Sequence, residues 1–118
     1  MFRGKSEWIG PYSAIVDTGA HISVIPRRIW SKSDVKIFAD HEMRGIVPLK
    51  ECSIPVIVGE IDAMVVDEKD TTKEISALCY FALTDEIPLI LGFKTLLEEF
   101  ECCFNYRDNI AFIAGKEW

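Results

Sequence analysis

In Ala14-Ile15-Val16-Asp17-Thr18-Gly19-Ala20-His21-Ile22-Ser23-Val24-Ile25-Pro26, an apolar run stops at a carboxylate, turns through a small hydroxyl residue and a glycine, and re-enters apolar sequence. This order predicts a buried strand that delivers Asp17 to its end, then a turn, then a second strand. A carboxylate mounted at the end of a strand is placed for acid–base chemistry. Asp and Gly also favour plain turns, so Asp17-Thr18-Gly19 alone could be a turn with no chemistry. Against that stand the Ile15-Val16 run before it and a second landmark, Pro88-Leu89-Ile90-Leu91-Gly92.

Upstream, Trp8-Ile9 and the run from Tyr12 to Val16 flank Gly10-Pro11 and read as two short strands joined by a turn. Downstream, Pro26 stops the second apolar run, and Arg27-Arg28-Ile29-Trp30 reads as one helical turn. A short strand is expected at residues 35–38, and a long hairpin from residues 43–51 and 52–58, whose glycine and prolines prevent both arms from being fully buried. An apolar segment at 61–66 precedes the polar run 67–74, a solvated loop to which no chemistry is assigned. Residues 75–83 are dense in apolar and aromatic side chains, as a central strand should be. Phe93, Leu96, Leu97 and Phe100 recur at i, i+3, i+4 and i+7 with Lys94, Glu98 and Glu99 between them, which predicts an amphipathic helix of about two turns. Residues 102–104 and 109–113 flank Asn105-Tyr106-Arg107-Asp108 as a closing β-hairpin.

The 118 residues suffice for one domain, residues 1–118, and 49% apolar with 27% charged residues is a globular balance. A formal charge of -6 argues against nucleic acid and anionic membrane surfaces as partners. Residues 1–7 lack the apolar core of a secretory signal, and no stretch has the run of apolar residues that a spanning helix needs, so a cytoplasmic address is expected. Cys52, Cys79, Cys102 and Cys103 lack zinc-ligand spacing and read as buried free thiols rather than disulfides.

The run from Ile15 to Ala20 resembles the active-site loop of the retropepsin-like aspartic proteases, a hydrophobic strand followed by Asp-Thr/Ser-Gly-Ala/Ser. Leu89-Ile90-Leu91-Gly92 resembles the hydrophobic-hydrophobic-Gly element that threads beside the catalytic loop in aspartic proteases. The resemblance spans residues 12–113 and implies an all-β, retropepsin-like acid protease fold with closed, barrel-like sheets and one short C-terminal helix. It also implies an aspartic endopeptidase that acts on an extended peptide or protein substrate with an activated water, and with no metal or organic cofactor. The hairpin at 43–58 lies where this family keeps its mobile flap.

Hydrolysis by this chemistry needs two carboxylates sharing a proton, and the chain has one Asp-Thr-Gly. A homodimer with Asp17 from each copy at its two-fold axis meets that need, and the monomer is expected to be inactive. Under the resemblance, Asp17 is the catalytic acid/base and the Thr18 hydroxyl bonds across the interface. Gly19 lets the backbone approach dyad and substrate, and Ala20 lines the cleft near the scissile bond. Viral members follow the glycine of the second landmark with a basic and a polar residue that brace the dimer. Phe93 and Lys94 stand there in this chain, so the bracing must differ.

A reading from another class keeps the fold and drops the catalysis, as a silent dimerisation or peptide-binding module. Thr18 and Gly19 speak against it, because such a module has no physical need for that hydroxyl and bare backbone beside a carboxylate. A thiol enzyme using Cys102 or Cys103 is weaker, since strand neighbours face opposite ways and no histidine is close in sequence. His21, His41, Trp30 and Trp118 read as surface or packing residues outside the site.

Overall fold

The computed structural model describes residues 1–38, 46–49, 54–66 and 70–115. The strands are β1 (Phe2–Arg3), β2 (Trp8–Ile9), β3 (Ile15–Val16), β4 (Ser23–Ile25), β5 (Val35–Ile37), β6 (Ile46–Leu49), β7 (Ile54–Ala63), β8 (Ile75–Ala82), β9 (Ile90–Leu91), β10 (Phe100–Asn105) and β11 (Ile110–Gly115). One helical turn, α1 (Arg27–Trp30), follows β4. The main sheet runs β2-β1-β7-β8-β4-β9-β3, with β5 and β6 also paired to β7, and β10–β11 form a separate two-stranded sheet. The main sheet curls strongly into a half-barrel, an all-β architecture consistent with the retropepsin-like fold.

β7 and β8 form the backbone of this curl. β8 pairs antiparallel along β7 from Val56↔Ala82 to Ala63↔Ile75, and the other edge of β7 takes β6, β5 and β1 in turn. Alternation along β8 buries Ile75, Ala77, Cys79 and Phe81 in the main core with Ile25, Ile29, Ile61, Leu89 and Leu96. A second, smaller cluster of Val24, Val56, Ala82 and Ile87 lies beside Tyr80 and Ile90. Gly59 lets β5 and the Phe81 ring approach β7, for a Cβ there would sit 2.4 Å from the Lys36 carbonyl oxygen and 2.5 Å from the Phe81 ring. The expected apolar segment at 61–66 is therefore no separate strand at its start, because β7 runs through Gly59 to Ala63 without a break.

Pro26 ends β4 and opens α1 with φ -68° and ψ 158°. Trp30 is a packing residue, its ring 5.6 Å from that of Phe81 and its Nε1 donating to the Ala82 carbonyl at 2.7 Å. The hairpin arms pair as β6 on β7, from Ile46↔Ile57 to Leu49↔Ile54. The rest of that expected hairpin, 43–45 and 50–53, lies outside the described residues, as do His41, Cys52, 67–69 and Trp118.

Both expected strands around Gly10-Pro11 are present, the second only at Ile15–Val16; β2 pairs with β1, and β3 pairs with β9 at the opposite edge of the sheet. Two expectations fail. First, β3 is not buried. Ile15 is 53% and Val16 38% exposed, because an edge strand is covered on one side only.

Second, residues 93–100 make no two-turn α-helix. Four turn residues lead into a 3-10 turn at Leu97–Glu99, and the amides of Leu97 and Glu98 reach back to the carbonyls of Gly92 and Phe93. Thr95 adopts φ 62° there, its Oγ1 accepting the Leu78 amide at 2.7 Å and its own amide donating to the Glu98 carboxylate. A tertiary hydrogen bond thus overrides the local period. The apolar spacing still serves the core, since Leu96, Leu97 and Phe100 are buried, while Phe93 is 47% exposed.

Candidate active site

The loop bearing Asp17 is shaped by a strand from the far end of the chain. β9 lies between β4 and β3, parallel to β3 through Ile15↔Ile90 and Val16↔Leu91 and antiparallel to β4 through Val24↔Ile90. The second landmark thus threads between the two arms of the Asp17 loop. The Ile15 amide donates to Leu89 O at 2.9 Å and the Asp17 amide to Leu91 O at 3.0 Å, so the ladder continues to the carboxylate residue itself. Beyond the turn, the Phe93 amide donates to Ala20 O at 2.9 Å and the Lys94 amide to His21 O at 2.8 Å. Both arms of the loop are therefore pinned by residues 89–94.

The turn holds the Asp17 side chain directly. The Gly19 amide donates to Asp17 Oδ1 at 3.0 Å, and the Ala20 amide donates to Asp17 O at 3.1 Å. A Cβ on Gly19 would lie 3.3 Å from Oδ1, tight enough to disturb this cradle. Asp17, Thr18 and Gly19 are exposed and Ala20 is half-buried. Among the described residues, the Gly19 amide is the hydrogen-bond partner of the Asp17 carboxylate, and no second carboxyl group from the same chain bonds to it. Thr18 lies in the turn and is exposed.

Gly92 and Ser23 lock the threading. Ser23 is 2% exposed, and its Oγ accepts the Gly92 amide at 2.8 Å. A Cβ at Gly92 would fall 2.5 Å from the backbone carbon of Ile22, so only glycine allows β9 this close to β4. Sequence reading overlooked Ser23. The available signal was a single hydroxyl inside the apolar run Ile22-Ser23-Val24-Ile25, which must find a partner once buried.

Ile15 and Ile90, which the sequence marks only as strand residues beside the site, also face it. They are register partners on parallel strands and so share a face, and alternation along the strand puts Asp17 on the Ile15 side. Exposed Ile15 and half-buried Ile90 thus form an apolar floor beside the carboxylate. On the opposite face, Val16, Leu89 and Leu91 line a cleft of about 410 Å³ with Phe2, Tyr12 and Leu96, so that cleft lies behind the Asp17 loop.

Cys79 and Cys102 are poor nucleophiles. Burial, and secondarily the charge of Glu60, pushes Cys79 far above the ordinary thiol range. Burial and the neighbouring Cys103 raise Cys102 as well. An activated cysteine needs the reverse. Among the described residues, no group of three or more His, Cys, Asp or Glu side chains is placed to hold a metal ion.

In an alignment of 112 positions that covers 91% of the chain, it is 31% identical to DNA damage-inducible protein 1 of Candida glabrata. The two are distant homologues. The chain spans 24% of DNA damage-inducible protein 1, about a quarter of that protein. No protein-family model matches the chain, and no solved structure matches it.

Proposed function

We propose that the chain is a retropepsin-like aspartic endopeptidase that works as a homodimer, each copy contributing Asp17. The observation that carries this reading is the clamp of β9 between the arms of the Asp17 loop, which presents one exposed carboxylate, oriented by the Gly19 amide, on a pinned turn. A group so held stays in its reactive geometry without reorganising. The distant homology to DNA damage-inducible protein 1 along most of the chain supports the same reading.

In the dimer the two Asp17 carboxyl groups share one proton, because two like charges in contact cannot both persist. The ionised member takes a proton from a water lying between them, and the water oxygen bonds to the scissile carbonyl carbon. The protonated member gives its proton to the carbonyl oxygen, so a neutral gem-diol forms. Collapse breaks the C–N bond as a proton passes to the leaving amine and another returns to the dyad. Thr18 of each copy braces the pair across the interface, Ala20 lines the cleft, and the β6–β7 hairpin closes over an extended peptide. The Ile15–Ile90 floor favours an apolar side chain beside the scissile bond.

The test is cleavage of a mixed peptide library by the wild-type chain and by Asp17→Asn, with pepstatin-type inhibition followed from acid to neutral pH. Cleavage lost in the variant establishes the reaction. A wild-type dimer that cleaves nothing would favour a catalytically silent dimerisation or peptide-binding module, which the solitary carboxylate of each chain also permits.

A further inference from the structure

The sheet face that carries Asp17 continues well past the loop. Register partners share a face, so Ile15, Ile90, Val24, Tyr80 and Val58 form one row across β3, β9, β4, β8 and β7, with Asp17 two residues past Ile15 on the same side. Burial agrees with this alternation. Cys79 and Phe81 enter the main core, whereas Tyr80 points the other way and packs, half-buried, with Ile90 against Val24, Val56, Ala82 and Ile87. The row is apolar apart from the Tyr80 hydroxyl, which has no hydrogen-bond partner among the described residues. A phenol packed this far into a sheet normally finds one. No unpartnered polar side-chain atom is sealed from solvent, so this hydroxyl stays reachable from the open side of the sheet.

We propose that Tyr80 sets substrate specificity. Its hydroxyl is the polar end of an otherwise apolar subsite, which takes a peptide side chain with an apolar stem and an uncharged amide tip, glutamine or asparagine. The inference rests on the protease reading above and names the substrate class. In the order β3-β9-β4-β8, Tyr80 stands three strands from Asp17. At about 4.8 Å per strand the separation across the sheet is ~14 Å, which an extended peptide covers in about four residues. The side chain that Tyr80 reads therefore belongs to a residue within about four positions of the scissile bond.

The surroundings of the hydroxyl select the amide. Val24, Val56 and Ile90 meet the stem, and apolar contact with them rewards methylene groups. At the tip the phenol can both donate and accept. Glu60 is the next residue on this face of β7, diagonal to Tyr80 and so roughly 7–8 Å away between the strands. Lys36 is its register partner on β5, but the Lys36 ammonium lies over the Phe38 ring, 5.9 Å from the centroid, and no ion pair joins it to Glu60 among the described residues. An amide tip satisfies both groups, its carbonyl accepting from the Tyr80 hydroxyl and its nitrogen donating towards Glu60. A carboxylate tip would meet the charge of Glu60 while losing its own hydration. A lysine tip would need Glu60 alone and owe nothing to the phenol.

The test uses octapeptide libraries in which each position in turn is fixed as glutamine, asparagine, methionine, glutamate or lysine. Cleavage by the wild type is compared with cleavage by Tyr80→Phe, and binding of the same libraries to Asp17→Asn, with and without Tyr80→Phe, is followed by fluorescence anisotropy. Phenylalanine keeps the ring packed on Val24 and Ile90, and circular dichroism checks the fold. The expected result is a position where the wild type prefers an amide over methionine, with that preference falling about 10-fold or more in Tyr80→Phe while methionine peptides are cut as before. An amide preference that survives the substitution, or none at any position, would overturn the subsite and leave the protease standing. A lysine preference indifferent to Tyr80→Phe assigns the position to Glu60 and overturns it as well. If no peptide is cleaved, the protease reading fails and the binding arm decides. Discrimination lost with the hydroxyl then upholds the subsite, and equal or absent binding of all libraries overturns it.

Discussion

The hydroxyl of Ser23 accepts the Gly92 amide at 2.8 Å, and it does so where a Cβ on Gly92 would stand 2.7 Å from the Ser23 nitrogen. The two residues are 69 positions apart in sequence. Their contact holds β9 between the arms of the Asp17 loop, so the geometry of the carboxylate depends on it. Ser23→Ala would leave a buried amide without its partner and should cost about 1–3 kcal/mol of stability. Gly92→Ala meets backbone rather than a yielding side chain, and should cost more or prevent folding. Urea unfolding midpoints of the two variants measure this order.

At the turn, stability and activity should separate. Asp17 is exposed, so Asp17→Asn is expected to change stability by no more than about 0.5 kcal/mol while abolishing cleavage. Gly19→Ala crowds Oδ1 of Asp17 at 3.3 Å and should lower kcat with little change in folding stability. Thermal unfolding beside single-turnover cleavage distinguishes the two effects. A large loss of stability in Asp17→Asn would show that the carboxylate serves the fold.

Thr95 is held in the left-handed region by what its side chain touches. Thr95→Val keeps the shape and the backbone cost but removes the acceptor of the Leu78 amide, and should destabilise by roughly 1–3 kcal/mol. Asn tolerates this φ better than a β-branched residue and can still accept, so Thr95→Asn should be the milder change. Denaturant titration of both variants ranks them.

Cys79 should be silent to thiol reagents in the folded protein. In a Cys52→Ser background, Cys102 and Cys103, both half-buried, are expected to label in the native state, and Cys79 only after unfolding. Because burial raises the Cys79 thiol above its ordinary 9.0, the folded state holds that proton more tightly than the unfolded one. The stability linked to it is complete below pH 9 and declines as pH rises above that value. Removing the thiol as Cys79→Ala should flatten this alkaline decline, whatever it costs in packing. An unchanged slope would assign the decline to other groups.

Much of the chain was legible because its signals are local. Pro26 stops β4 wherever that strand packs, and the four polar residues after Phe104 turn the last hairpin whatever lies beneath it. Residues 93–100 misled because the same apolar spacing suits a helix or an irregular turn lying on the core. The Leu78 amide, which decides between them, comes from another strand. The exposure of Ile15 and Val16 escaped notice for a similar reason, since an apolar dipeptide reads alike at the centre and at the edge of a sheet.

The sequence by itself determined the strand-rich architecture, the turn at Asp17-Thr18-Gly19 and the presence of one such carboxylate motif per chain, because propensity, punctuation and composition act over a few residues. Only the tertiary structure decided that β9 passes between the arms of that turn, that Ser23 and Gly92 lock it there, and that the last ribbon leaves aromatic side chains on both faces. Those features arise from hydrogen bonds and close contacts between segments far apart in the chain, whose partners no local pattern specifies.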